Sequence, residues 1–206
     1  MTQLDTAPAR PGRKRDHTRD PEILNAALDV LAETGYDRMT VDMVATRAKA
    51  GKATLYRRWP SKAELVIDAV ACLKVGDRDA PLPDTGSLRE DLVSQIKPHS
   101  IDDGQRKLRI MTGLASMLST SPELARTANE TIVRPRIERN LALFERAVER
   151  GEIEPGLDLE LIAGLSTALA ANRMLLEGKP VDRDFLVGVI DAVVLPALGI
   201  RADIPA

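Results

Sequence analysis

The chain has 206 residues, a formal net charge of −2, 44% hydrophobic and 29% charged residues, one cysteine and two histidines. That suffices for one large helical domain or two small ones of ordinary soluble composition. Cys72 alone excludes an intrachain disulfide and any multi-cysteine metal site. His17 and His99 stand apart without a Glu-x-x-His pair, which argues against a di-iron bundle. No apolar run has the length of a membrane span or the form of a signal-peptide core, so the expected location is the cytoplasm and no membrane partner is expected.

Residues 1–16, with Pro8, Pro11, Gly12 and the run Arg13-Lys14-Arg15, have almost nothing to bury and read as a flexible basic arm. It is either a solubilising tail or a minor-groove or phosphate contact. A first helix opens between Thr18 and Pro21 and carries Ile23, Ala26, Ala27, Val30 and Leu31 at helical spacing, with Gly35 as a left-handed cap. Thr40 caps a short second helix with Asp42 in its first turn. Gly51 opens a third helix, which Trp59-Pro60 stops. Ser61 to Glu64 forms a capping box for a fourth helix ending near Gly76.

Residues 77–86, with Pro81, Pro83 and Gly86, form the linker between an N-terminal unit, 17–76, and a C-terminal one, 87–200. A second capping box spans Ser87 to Glu90. Leu108, Met111, Leu114, Ala115 and Leu118 make a helical stripe. Ser121-Pro122 opens a long helix to Arg150, kinked at Pro135. Asp158 caps a helix to about Glu177, and Asp182 precedes a last one that loses regularity near Pro196. No alternating strand pattern persists, so the expected fold is all-α with about nine helices.

Charge is distributed unevenly. Residues 38–62 contain seven Lys or Arg and one acid, Asp42. Residues 1–62 sum to +4 (twelve Lys or Arg against eight Asp or Glu), and 63–206 to −6 (seventeen against twenty-three). A basic N-terminal third on an acidic body reads as a nucleic-acid module attached to a part that DNA repels.

Within this basic region Gly35, Thr40, Val44-Ala45, Ala48, Thr54-Leu55-Tyr56, Trp59, Ser61-Lys62 and Leu65 stand at fixed spacing. In these residues the segment resembles the DNA-binding domain of the tetracycline-repressor (TetR) family of transcription regulators. Two positions depart from the family pattern: Lys49 stands where glycine is usual, and Gly51 where serine is. The resemblance implies a helix-turn-helix whose third helix enters the major groove, with Lys52, Ala53, Thr54 and Tyr56 nearest the DNA and Lys49 joining them from the turn. Lys52 can donate to guanine, while Ala53 and the Thr54 methyl suit thymine. Thr40, Tyr56 and Lys62 correspond to phosphate ligands of the family, and Arg57 and Arg58 can reach phosphate or base. Trp59 is expected in the core.

The second half resembles the family more loosely, through Ala147 to Glu152 and through Arg173 to Leu176 ahead of Gly178-Lys179-Pro180. The implied protein is a homodimer on a palindromic operator, released by a small molecule that alters the separation of the recognition helices. Gly164, Ala168 and Ala171, with Phe185, Val189 and Ala192, form stripes on which a second copy could pack. Met111, Leu114, Met117, Phe144 and Met174 suit a mostly apolar effector, with Asn172 and Arg173 as polar anchors. No phosphate loop, serine elbow or paired nucleophile is present, so neither catalysis nor a cofactor is expected. The alternative is a helical ligand-binding or enzymatic bundle with an incidental basic patch.

Overall fold

In the computed structural model, residues 20–72, 80–96 and 104–201 are described. The basic arm, Thr18, Leu73, Gly76 and both histidines lie outside the described residues.

Polar caps at helix starts and apolar stripes behind them organise the chain. Among the described residues there are nine helices and no strand, counting consecutive helical segments as one. They are α1 (Asp20–Arg38), α2 (Val41–Arg47), α3 (Lys52–Arg58), α4 (Lys62–Cys72), α5 (Leu88–Ser94) and α6 (Gly104–Leu118). Then follow α7 (Pro122–Ala128, Asn129–Val133 and Arg134–Glu149), α8 (Leu159–Ala163 and Leu165–Leu175) and α9 (Arg183–Val189, Ile190–Val194 and Leu195–Ala197). Thr40, Ser61, Ser87, Ser121, Asp158 and Asp182 each accept a hydrogen bond from the backbone N–H three residues on, satisfying donors that a helix start leaves orphaned.

Gly35 interrupts α1 at φ 72°, ψ 166°, positive as expected but in a region essentially reserved for glycine rather than the left-handed helical one. Where a kink was expected at Pro135, a π-helical turn, Asn129–Val133, precedes it. A second, Ile190–Val194, precedes Pro196. A proline ring crowds the carbonyl four residues back, and a wider turn moves that carbonyl away. The helix expected to run from Asp158 to Glu177 is broken at Gly164 and ends at Leu175. On α6 the most buried residues are Ile110, Gly113, Leu114 and Met117, a face turned from the expected one; Leu108, Met111, Ala115 and Leu118 are half-buried.

Two apolar cores result. The first joins α1 to α4 with Ile110, Leu114 and Met117 of α6 and Ala128 and Ile132 of α7. Packing is tight enough that a Cβ at Gly113 would lie 2.8 Å from Leu31 Cδ1. The second joins Leu88 and Leu92 of α5, Leu143, Phe144 and Ala147 of α7, Ala163 of α8, and Val189, Ile190, Val194 and Leu195 of α9.

Beside the second core, Asp91 has no accessible surface. Its carboxylate accepts from Thr85 N (2.7 Å) and Oγ1 (2.8 Å), and from Nη2 of Arg146 and of Arg150 (3.1 Å each). Arg146 also donates to the Pro83 carbonyl, and Arg139 to that of Ala80 at 2.8 Å. The described part of the expected linker is thereby pinned to α5 and α7. Burial acts to raise the Asp91 pKa, but the Thr85 and arginine hydrogen bonds outweigh it and hold the carboxyl below its ordinary value.

Asp91→Asn should therefore lower unfolding free energy by about 3 kcal/mol at neutral pH, since it leaves two guanidinia around a neutral group. A carboxylate with a depressed folded pKa stabilises above its unfolded value of about 3.9 and loses that contribution as pH falls through the lower folded value. The gap between wild type and variant in urea melts should be full at neutral pH and shrink in that acid window.

Candidate nucleic-acid interface

The turn between α2 and α3 is held by the Ala48 N–H on Val44 O (2.9 Å) and the Ala50 N–H on Ala45 O (2.9 Å). Leu55 and Trp59 seat α3 in the first core, both buried, and the indole N–H donates to Asp68 on α4 at 2.8 Å. With that side fixed, the opposite face of α3 is free. Lys52, Ala53, Tyr56 and Arg57 are exposed there and Thr54 is half-buried, with Lys49 exposed in the turn and Thr40 exposed at the α2 start. Tyr56 is an aromatic left 45% exposed on this short helix.

Lys49 takes φ 49°, the left-handed conformation that a side chain makes unfavourable. This is the position where the family pattern has glycine, so the departure noted in the sequence carries a backbone cost.

The seven cations of this region have different roles. Arg57 is exposed and has no partner among the described residues. Lys52 pairs with Asp42 at 2.8 Å and lies 5.8 Å from the Tyr56 ring; the hydrogen bond to Asp42 raises its pKa. Arg47 grips Glu33 through two bonds of 2.6 and 2.7 Å. Arg38 donates to the Thr34 carbonyl at 3.0 Å.

Arg58 differs from the expectation: its guanidinium is largely buried in an ion pair with Asp20, where it holds the start of α1. Lys62 also takes a structural post. Its ammonium donates to the carbonyls of Tyr36 (2.8 Å) and Met39 (3.1 Å) and lies 4.1 Å from the Tyr36 ring centroid. These carbonyls lie where α1 ends, a place that favours a cation. One N–H of three remains for a phosphate. Asp20, the partner of Arg58, and Asp42, the partner of Lys52, stand in first helical turns, where the helix dipole alone accounts for an acid and the sequence gives no sign of the pairing.

In the second half the structure does not gather the expected effector residues into one lining. Leu114 and Met117 are buried in the first core with half-buried Met111 against it, whereas Phe144 is buried in the second. Met174 is half-buried. Exposed Asn172 bonds to Glu177, and Arg173 donates to the Pro180 carbonyl at 2.8 Å, pairs with Asp182 at 3.4 Å and stacks 4.4 Å from the Phe185 ring centroid. Arg173 thus fastens α8 to α9, and Phe185 serves as its platform. Of the expected packing stripes, Ala168 and Ala192 are exposed, and Gly164, Ala171 and Phe185 half-buried. Val189 is buried in the second core because α9 turns that face inward, so it is not available to a second copy.

Among the described residues no helix is long and apolar enough to cross a membrane, and no group of three or more His, Cys, Asp or Glu could hold a metal. Residues 23–69 match the family model of bacterial regulatory proteins, tetR family, and residues 82–193 that of the tetracyclin repressor-like C-terminal domain. An uncharacterized HTH-type transcriptional regulator of Mycobacterium tuberculosis is 35% identical over 199 residues, covering 96% of both chains. A DNA-binding transcriptional repressor TetR of Mycobacteroides abscessus is 35% identical over 186 residues, 88% of this chain and 94% of that one. A crystal structure of a TetR family transcription regulator superposes with a TM-score of 0.64 at 28% identity, covering 86% of this chain and 97% of that one.

Lys49→Gly should raise unfolding free energy by about 1 kcal/mol by relieving the left-handed backbone; an unchanged thermal melt would show that the turn carries no such cost. Lys62→Ala should lose about 2 kcal/mol of stability, the scale of hydrogen bonds from a charged donor. Arg57→Ala should melt like wild type yet flatten the salt dependence of DNA binding by about one unit of slope. Equal salt slopes for Arg57→Ala and wild type would remove Arg57 from the interface.

Proposed function

The chain belongs to the tetR family of bacterial regulatory proteins and is a DNA-binding, HTH-type transcriptional regulator, not an enzyme; from that premise we propose that it is a homodimeric repressor of a palindromic operator, released by a small molecule. The observation that carries the DNA-binding part is the outer face of α3, where Lys52, Tyr56 and Arg57 stand exposed on a helix fixed from behind by Leu55 and Trp59. In this reading Lys49, Lys52, Ala53, Thr54 and Tyr56 meet the major groove. Arg57 and Thr40 meet phosphates, and Lys62 adds a phosphate contact through its remaining donor. Lys52 exchanges Asp42 for DNA, an exchange that costs little because both groups are exposed.

Dimerisation is supported by where apolar surface remains. Leu161 (68% exposed), Leu175 and Leu176 (82%) lie along or at the end of α8, and Val193 on α9, beside exposed Ala168 and Ala192. Ala168 and Leu175, seven residues apart on the longer segment of α8, share one face, with Ala171 beside them and Leu161 on the short segment before the break at Gly164. Two copies packing α8 and α9 about a two-fold axis would cover this surface and place two α3 helices on the half-sites of a palindrome. The effector is proposed to lie within the C-terminal body and to be mostly apolar, because the side chains that line both cores are aliphatic apart from Phe144 and Trp59.

A gel shift with the DNA upstream of its own gene should show a salt-sensitive, sequence-specific complex. Ala168→Glu should sediment as a monomer, since the two-fold axis brings both new charges into one apolar contact. That monomer should bind the operator at least about tenfold more weakly, as expected when one of two linked contacts is lost. A tight Ala168→Glu dimer would place the interface elsewhere.

A further inference from the structure

Between Arg38 and Lys62 the only acid is Asp42. Its side chain is 60% exposed, and that of Lys52, the first residue of α3, 56%. Both carboxylate oxygens lie 2.8 Å from the Lys52 ammonium, so the two charged heads meet at one point of the DNA-facing surface. The acids that hold Arg47 and Arg58, Glu33 and Asp20, stand on α1 instead. No hydrogen bond of the local structure uses the Asp42 carboxylate. Thr40 caps α2 by accepting from the Met43 N–H at 3.2 Å, and Thr46 donates to the backbone carbonyl of Asp42, not to its side chain. Apart from Lys52 the carboxylate has no partner among the described residues.

When Lys52 turns from Asp42 to a base, the carboxylate is left facing a polyanion. Phosphates repel it, and a charged acceptor shut off from water without a donor is costly. It needs a donor close beside the atom that the lysine takes. The major-groove edge of a G·C pair has that arrangement. Guanine presents two acceptors, O6 and N7, and its cytosine presents the N4 amino group, one hydrogen of which is free in the groove. O6 and N4 are bonded to each other at about 2.9 Å, a spacing that matches the ammonium and the carboxylate. The other pairs fit less well. A·T and C·G place an amino donor before the ammonium, and T·A offers it a single acceptor beside a methyl group.

We propose that Asp42 is a specificity-determining residue of the operator contact: with Lys52 it reads one G·C pair of each half-site, Lys52 through guanine O6 and N7 and Asp42 through the groove-facing N4–H of the cytosine. This rests on the reading of α3 as the helix in the major groove and names the base pair that its first residue meets. On other sequences the two heads stay paired, and a neutral pair gains little from phosphate. The couple therefore adds sequence preference without adding to non-specific attraction. Arg57, exposed and without a partner among the described residues, contributes to binding of any sequence.

The test uses the full-length protein and the duplex that it selects from a random-sequence library. Selection should yield half-sites with a fixed G·C pair, and Lys52→Ala should lose the preference at that pair. Cytosines of the duplex are then replaced in turn by N4-methylcytosine, which keeps the pairing with guanine and blocks the groove-facing N–H. Guanines are replaced by 7-deazaguanine, which lacks the N7 acceptor. In fluorescence anisotropy, N4-methylation of one cytosine per half-site should weaken wild-type binding at least about tenfold, the scale of one lost base contact, and leave Asp42→Ala unaffected. Asp42→Glu should regain part of the sensitivity. 7-Deazaguanine in the same pair should weaken wild type but not Lys52→Ala. Each comparison sets modified against unmodified duplex within one protein, so a general effect of a substitution on folding or charge cancels. The proposal is overturned if selection fixes no G·C pair that depends on Lys52, if no N4-methylcytosine weakens wild-type binding, or if wild type and Asp42→Ala are weakened alike. In the last two cases a 7-deazaguanine effect absent from Lys52→Ala keeps α3 in the major groove with Lys52 alone reading guanine. Equal 7-deazaguanine effects in both proteins remove Lys52 from the bases as well.

Discussion

The packing of α1 on α6, at Leu31 against Gly113, sets the frame for the rest of the molecule. A side chain at position 113 would collide with Leu31, so the two helices approach more closely than any residue but glycine allows without a shift. Through this contact the helices that carry the DNA-facing surface share one core with the body: Leu55 and Trp59 of α3, the buried faces of α1 and α4, and Ile110, Leu114 and Met117 of α6 are continuous. Arg106 closes the rim of the same contact, pairing with Asp29 and donating to Asn25 at 2.9 Å. The helix α3 thus sits in one core with residues more than fifty positions away. A rearrangement of α6 cannot leave α1 where it was, because a close-packed core transmits displacement rather than absorbing it.

Electrostatics at the DNA-facing surface are less generous than the sequence charge suggests. A sum of +6 over residues 38–62 implies a strong phosphate attractor. In the folded chain Arg47, Arg58 and Lys62 are fastened to Glu33, Asp20 and backbone carbonyls, and Lys52 is shared with Asp42. They still contribute to the field, which acts over about 10 Å at moderate salt. They do not all contribute hydrogen bonds. Long-range steering therefore reflects the whole cluster, while specificity rests on the few groups that remain free or are held by exposed pairs.

Much of this was legible in the sequence wherever the governing rule is local. Each helix start predicted from Thr40, Ser61, Ser87, Ser121, Asp158 or Asp182 is closed by a bond to the residue three positions on, a distance that the sequence itself specifies. Gly35 and Trp59 were readable for the same reason, one through backbone freedom and one through bulk. What the sequence did not show has a different cause. Lys62 reaches Tyr36 across twenty-six residues, and Arg146 reaches Asp91 across fifty-five. A long cationic side chain can satisfy any acceptor within its reach, so its partner is decided by the tertiary fold. The inward turn of Val189 and the rotated buried face of α6 belong to the same class. An apolar stripe as wide as these shows that a face is buried but not which of its edges lies deepest.

The helix α7 ties these features together. Its Ala128 and Ile132 belong to the core that carries the DNA-facing helices, its Leu143, Phe144 and Ala147 to the core that carries α5 and α9, and the π turn at Asn129–Val133 lies next to the point where one gives way to the other. A wide turn has fewer well-aligned hydrogen bonds than the helix around it and yields more readily. The polar residues of the inner face, Arg136 and Asn140, fall just beyond that turn, at the place where no continuous apolar packing joins the two cores. Separate cores can shift against each other at lower cost than either can deform internally. This compliant place lies on the helix that contacts both the DNA-facing half and the half bearing the exposed apolar stripe.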